Sequence, residues 1–107
     1  MYNKSVPRLC VKTAKNIKEK VIGLIGQKKP SALMLKTHFG IHTFGLRFPI
    51  DVLILNKKNI VVSIKKDLKP NRIFLWNPLY ENVIELPSGT IEKKLIKINI
   101  PIDISIS

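Results

Sequence analysis

The chain is expected to fold as an α+β, mainly β domain: a compact small β-sandwich or barrel with one amphipathic helix near the N-terminus and one short helix near the C-terminus. Three observations predict this. From residue 31 onward the apolar positions recur mostly every second residue, the period of a strand with one buried face. The segment Asn56-Lys57-Lys58-Asn59 separates two such runs as a hairpin turn does. Only Ala14, Ile17, Val21, Ile22, Leu24 and Ile25 fall at helical spacing over a long stretch.

Residues Asn3 to Thr13 mix polar and apolar positions, and Pro7 confines a strand there to an edge or an irregular start. The helix then covers about Ala14 to Ile25, with Thr13 as an acceptable N-cap and Gly26 as its stop. Ala32-Leu33-Met34-Leu35 is a short apolar strand, and His42 to Leu55 a long β-rich run with Pro49 in its middle. A proline there marks an edge, a bulge or a bend, because it cannot donate to the ladder and holds Phe48 extended. Asp51 to Leu55 and Ile60 to Ile64 form the hairpin, with Asn59 suited to the left-handed conformation. Asp67 to Tyr80 reads as a loop, yet it carries Ile73, Phe74, Leu75, Trp76, Leu79 and Tyr80 and must pack on something. Asn82 to Leu86 is a strand, Thr90 caps a short helix to Leu95, and Ile98, Ile100, Ile102, Ile104 and Ile106 alternate as a final strand.

The 107 residues suffice for one domain, 1–107, able to hold a core without disulfides or a structural metal. The lone Cys10 excludes an intrachain disulfide framework, and its usual role is that of a small buried hydrophobe. No segment approaches the roughly 20 consecutive apolar residues of a membrane-spanning helix, and lysines at 12, 15, 18 and 20 interrupt any signal-peptide core. A cytoplasmic protein with no membrane association is the expectation. The charge of +12 invites nucleic acid as a partner. However, 16 of the 19 basic residues are lysine, and Ile (17) and Asn (8) are abundant too, a profile of A+T-rich codons. The lysines fall in scattered pairs, and base reading favours arginine. Solvated surface lysines with weak, salt-sensitive, non-specific nucleic-acid binding are therefore expected; specific binding through the lysine surface is the alternative.

The run His42 to Leu55, HTFGLRFPIDVLIL, resembles the signature block of the prokaryotic family known as domain of unknown function 192. Gly23-Leu24-Ile25-Gly26 is similar to the family's "GLM" turn, Leu33-Met34-Leu35 to its buried strand, Leu68 to Arg72 to its "LKPxR" element, and Val83 to Thr90 to its "VLELPAGT" segment. The blocks fall in order over about residues 17 to 98. The resemblance implies a β-rich sandwich or barrel with a helix packed against it, and it implies no enzymatic activity. Two departures stand out: Leu95 to Ile100 lacks the Gly and Asp of a "GIKVGD"-like turn, and Lys58-Asn59 replaces Asp-Gly in the hairpin.

Arg47, Arg72, Asp51 and Glu85 are the charged residues within otherwise apolar matched blocks. Two arginines beside His42 and Thr43 suit a small anion, arginine gripping it bidentately and Thr43 adding a neutral hydrogen bond. Alternatively Arg47 and Arg72 neutralise Asp51 and Glu85 and pin the loop onto the sheet. Trp76 with Phe74 and Tyr80 is a ligand lid, a partner-docking surface or a satellite core beneath the loop. His38 and His42 lie about 13 Å apart in an extended chain at ~3.3 Å per residue, which disfavours a metal site. Ser88 lies outside a nucleophile elbow, and no glycine-rich phosphate loop is present. The expectation is a non-enzymatic domain with no catalytic residue, no metal and no cofactor, binding a small anion or a protein partner near the Pro49 bend. An undiscovered hydrolase would require a nucleophile or metal that the sequence does not display. The candidate ligand-binding residues are His42, Thr43, Arg47, Asp51, Arg72, Glu85 and Trp76.

Overall fold

The computed structural model describes residues 6–13, 32–38 and 40–106. Strands β1 (Arg8–Thr13), β2 (Leu33–Lys36), β4 (Ile50–Leu55), β5 (Val61–Leu68), β7 (Asn82–Pro87) and β8 (Asp103–Ile106) form one sheet in the order β5-β4-β7-β2-β1-β8. The short strands β3 (Ile41–His42) and β6 (Ile73–Phe74) form a separate two-stranded ribbon, and a short helix, α1 (Thr90–Lys93), follows β7. The expected amphipathic helix over Ala14 to Ile25 lies outside the described residues, as does the 23–26 block.

Period-two alternation sorts the core into two sides. Leu53 and Leu55 of β4, Ile84 and Leu86 of β7, and Leu9 and Val11 of β1 meet Val61, Ile91, Ile96 and Ile102 on the inner side. Ile50, Val52 and Ile54 of β4 turn the other way, with Val83, Leu33, Leu35 and Leu68, under Phe48, Phe74 and Trp76. Both faces of β4 are covered, so all six of its residues are buried and its sequence is apolar almost without interruption. At one end the sheet's two edges meet. Val61 N–H donates to Ile100 O (3.0 Å), Asn99 N–H to Val61 O (2.8 Å) and Ile102 N–H to Asn59 O (2.9 Å), closing the sheet into a partial barrel.

The hairpin turn forms as expected. Asn59 is left-handed (φ 60°), and the Asn56 side-chain oxygen accepts from Lys58 N–H (2.9 Å) and Ile60 N–H (3.0 Å). Leu95 (φ 55°) and Asn99 (φ 73°) take left-handed backbone where the "GIKVGD" pattern has glycine. The Leu95 conformation closes α1 in a Schellman motif, with Ile96 N–H on Ile91 O (3.0 Å) and both isoleucines in the inner core.

Several expectations need correction. The run from His42 to Leu55 is not one strand: residues 43–49 form a turn with Gly45 at φ 87°, and β4 begins only after Pro49. The final strand is Asp103–Ile106 alone, because Asn99 is left-handed and Pro101 has no N–H to donate. Despite Pro7, β1 lies inside the sheet between β2 and β8. The proline sits just before the strand and contributes only its carbonyl, which accepts from Asp103 N–H (2.9 Å). Cys10 is exposed. Gly89, not Thr90, is the N-cap of α1, and Thr90 Oγ1 instead donates to Pro87 O (2.7 Å).

Candidate functional site

The seven candidate residues do not converge. They divide among three places, and two of them are held in full by structural duties. Asp51 is 1% exposed on the inner side of β4, at the end where α1 covers the barrel. Its Oδ1 accepts from Asp67 N–H (2.9 Å) and its Oδ2 from Gly89 N–H (3.0 Å) and Ile91 N–H (3.0 Å). This carboxylate caps α1 from a distant strand, which is why neither Gly89 nor Thr90 provides a side-chain cap.

Thr43 is fully buried at the start of the 43–49 turn. Its hydroxyl donates to Lys69 O (2.6 Å) and accepts from Arg72 N–H (2.9 Å). Its backbone adds Thr43 N–H to Arg72 O (2.9 Å) and receives Asn71 N–H (3.2 Å) and Leu46 N–H (3.1 Å) on Thr43 O. Thr43 therefore ties the 69–72 loop to the Pro49 bend and has nothing left for a ligand. Thr43→Val is expected to cost about 2 kcal/mol in urea denaturation, since it leaves the partly buried Arg72 N–H and Lys69 C=O without their partner.

Glu85 lies on the outer side of β7, 8% exposed, between Val52 of β4 and Leu33 of β2 in register. The same cross-sheet row ends in Lys65 on β5 and Lys12 on β1, each two strands away, or roughly 10 Å at ~4.8 Å per strand. No cation among the described residues pairs with it, and desolvation by burial raises its pKa from an ordinary 4.5 to about 7. The pairing of Arg47 and Arg72 with Asp51 and Glu85 is thus corrected. Backbone N–H groups replace arginine at Asp51, both arginines are exposed, and Arg72 Nη1 donates to Asn71 O (3.3 Å).

Trp76 is half-buried in the outer cluster, its Nε1 donating to Tyr80 O (2.8 Å) and its ring 5.6 Å from that of Phe74. It forms a satellite core beneath the loop. His38 is bound to Glu81 (Nε2 to Oε2, 2.9 Å) and lies 3.0 Å from Pro78 O through Nδ1. His42 accepts from Phe44 N–H and stacks on the Phe44 ring at 5.0 Å.

What remains accessible at the Pro49 bend is the β3–β6 ribbon. Around it Phe44 (47%), Ile73 (62%) and Leu75 (68%) expose large apolar side chains beside His42, bounding a hollow of about 260 Å³. Gly40, at φ 150°, also lines it, and any Cβ there would lie 2.6 Å from Leu75 and 2.7 Å from Phe74 O. Arg47 and Arg72 stand exposed in the turn and loop that flank the ribbon. Sequence reading overlooked Phe44, Ile73 and Leu75 as site residues. The signal was the run Ile73-Phe74-Leu75-Trp76, apolar on both faces of a two-residue strand that can bury only one.

The fold is that of a small, partly closed β-barrel domain with a ribbon at its flank. The chain belongs to the family described as uncharacterized ACR, domain of unknown function 192, whose model matches residues 2–104. No curated protein is detectably similar to it. Two solved structures share the fold. One is a protein of unknown function from Novosphingobium aromaticivorans DSM 12444 (TM-score 0.74, 14% identity, covering 83% of this chain and 70% of that one). The other, from Sinorhizobium meliloti 1021, carries the description putative transcription regulator (TM-score 0.70, 14% identity, covering 83% and 76%). Among the described residues no helix is long and apolar enough to cross a membrane.

Proposed function

We propose that this domain is a non-enzymatic binding module that docks an acidic protein segment on the β3–β6 ribbon, beside the Pro49 bend. The observation that carries this reading is the cluster of Phe44, Ile73 and Leu75, exposed together around one hollow. Single exposed apolar residues are ordinary, whereas a contiguous group marks an interaction surface. Size favours the protein partner of the two ligand classes expected near the bend. At about 260 Å³ the hollow falls below the roughly 300 to 1,000 Å³ of small-molecule sites, and it suits one apolar side chain of a larger partner. Charge favours an acidic partner. Arg47 and Arg72 are exposed in the turn and loop that adjoin the ribbon in sequence, on a chain of net charge +12, which favours acidic residues beside the inserted side chain and faster encounter with them.

The test is a binding titration with a blocked acidic peptide of sequence Glu-Asp-Phe-Asp-Glu, against its Lys-Arg-Phe-Arg-Lys counterpart and a Glu-Asp-Ala-Asp-Glu control. The acidic phenylalanine peptide is expected to bind at least ~10-fold more tightly than either control, and Leu75→Lys or Arg72→Glu is expected to weaken it by a similar factor. Equal affinity for the alanine control would leave only net charge. Preferential binding of short DNA, lost at high salt, would favour the lysine surface as a nucleic-acid interface and contradict the proposal.

A further inference from the structure

At the end of the barrel opposite α1, a groove of about 700 Å³ opens between the β4–β5 turn and the segment leading into β7. The register fixes its position: Leu55 of β4 and Lys36 of β2 both pair with Asn82, the first residue of β7. Alternation puts Asn82 on the side of Ile84 and Leu86, so the groove is the mouth of the barrel, a frequent place for small-molecule sites. Lys57 and Lys58 form one rim, Glu81 held by His38 forms the other, and Ile60, Leu79 and Tyr80 supply apolar walls.

One polar atom at this mouth stands out. Asn82 Oδ1 is buried and accepts no hydrogen bond from the described residues. Buried polar atoms are nearly always paired, and an orphan acceptor weakens the fold that keeps it. The terminal torsion of asparagine is soft, so rotation of the side-chain amide can offer this oxygen to a donor in the groove that Asn82 lines. A ligand meeting all three sets of groups has an N–H or O–H donor for Asn82, a body that lies on Ile60, Leu79 and Tyr80, and an anionic end for Lys57 and Lys58. Compact, strongly charged lysine ammonium groups suit a phosphate as point charges. The groove volume lies well inside the range of small-molecule and cofactor sites.

We infer that the barrel mouth binds a small organic phosphate bearing an N–H donor on a flat or apolar body, of which a nucleoside monophosphate is the simplest example. This site is independent of the ribbon. Calorimetric titration of the full chain with AMP, adenosine and inorganic phosphate, at low and high salt, tests it. AMP is expected to bind at least ~10-fold more tightly than adenosine or phosphate alone and to keep that preference at high salt. Asn82→Leu is expected to weaken AMP about 5- to 10-fold while melting no lower than the parent, since it removes an unmet acceptor. Replacing Lys57→Gln and Lys58→Gln together, on an exposed turn, is expected to reduce the preference for AMP over adenosine. Equal binding of AMP and phosphate, both erased by salt, would overturn the inference. So would unchanged AMP affinity in Asn82→Leu, which would mean that the orphan oxygen is only a tolerated defect.

Discussion

Replacing Asp51 by alanine is expected to lower the unfolding free energy by about 4 kcal/mol and the melting temperature by roughly 15 to 30 °C. The carboxylate is 1% exposed and receives three backbone N–H groups, from Asp67, Gly89 and Ile91. Each donor left without an acceptor away from water costs about 1 to 3 kcal/mol. Two of the three lie at the start of α1, which at four residues has no stability of its own and contributes Ile91 to the inner core. The loss therefore spreads from a cap to the packing at one end of the barrel. Against a typical total of about 5 to 15 kcal/mol it brings the fold close to its limit. Asp51→Asn keeps one acceptor oxygen and is expected to lose about half as much. Urea denaturation of the three proteins measures this, and a loss below about 1 kcal/mol in Asp51→Ala would show that the helix start is held by something other than this carboxylate.

Glu85 is expected to act in the opposite direction. Burial between Val52 and Leu33 raises its pKa to about 7 from an ordinary 4.5, so the folded chain binds this proton more tightly than the unfolded chain does. The stability that the neutral carboxyl allows is fully present below about pH 4.5 and is lost as pH rises to about 7 and beyond. At about 1.4 kcal/mol per unit, the difference amounts to roughly 3 kcal/mol. Glu85→Gln stays neutral throughout. Its stability is expected to match the parent near pH 4.5 and to exceed it by about 3 kcal/mol at pH 8. Chemical denaturation of both proteins across this range isolates the group from the other carboxylates, because their contributions cancel in the difference. Parallel curves with no divergence above neutral pH would mean that the Glu85 carboxyl meets water or a cation after all.

Much of the scaffold is legible in the sequence because local chemistry decides it. Asn56 and Asn59 announce the hairpin, and Val83-Ile84-Glu85-Leu86 announces a strand between two apolar faces. Other features depend on partners far along the chain. The capping of α1 by Asp51 across a separation of 40 residues leaves no local mark, and a conventional Thr90 cap was the natural reading. The same distance hides the role of Thr43, whose hydroxyl is spent on Lys69 and Arg72 rather than on a ligand. Charge pairing misled for a related reason. Two arginines and two acids in apolar blocks point to ion pairs, but Asp51 is satisfied by backbone donors, and Glu85 lies in a row whose nearest in-register cations are two strands away. Pro49 marks an edge, a bulge or a bend, and of these the chain takes the turn, beside which the exposed side chains are apolar as well as cationic. The alternation of Ile73 and Leu75 with Phe74 and Trp76 held that information, but only the pairing of β6 with two-residue β3 reveals which pair is left uncovered.

These two substitutions lie away from the ribbon, so Glu85→Gln at neutral pH is expected to bind the acidic peptide as the parent does. The central claim concerns the ribbon itself, and amide chemical-shift mapping of the full chain during titration with Glu-Asp-Phe-Asp-Glu tests it most directly. The account predicts perturbations concentrated at His42, Phe44, Arg47, Arg72, Ile73 and Leu75, with Lys57, Lys58 and Asn82 at the barrel mouth unmoved. Shifts spread over the lysines in proportion to their exposure, with the ribbon silent, would contradict it.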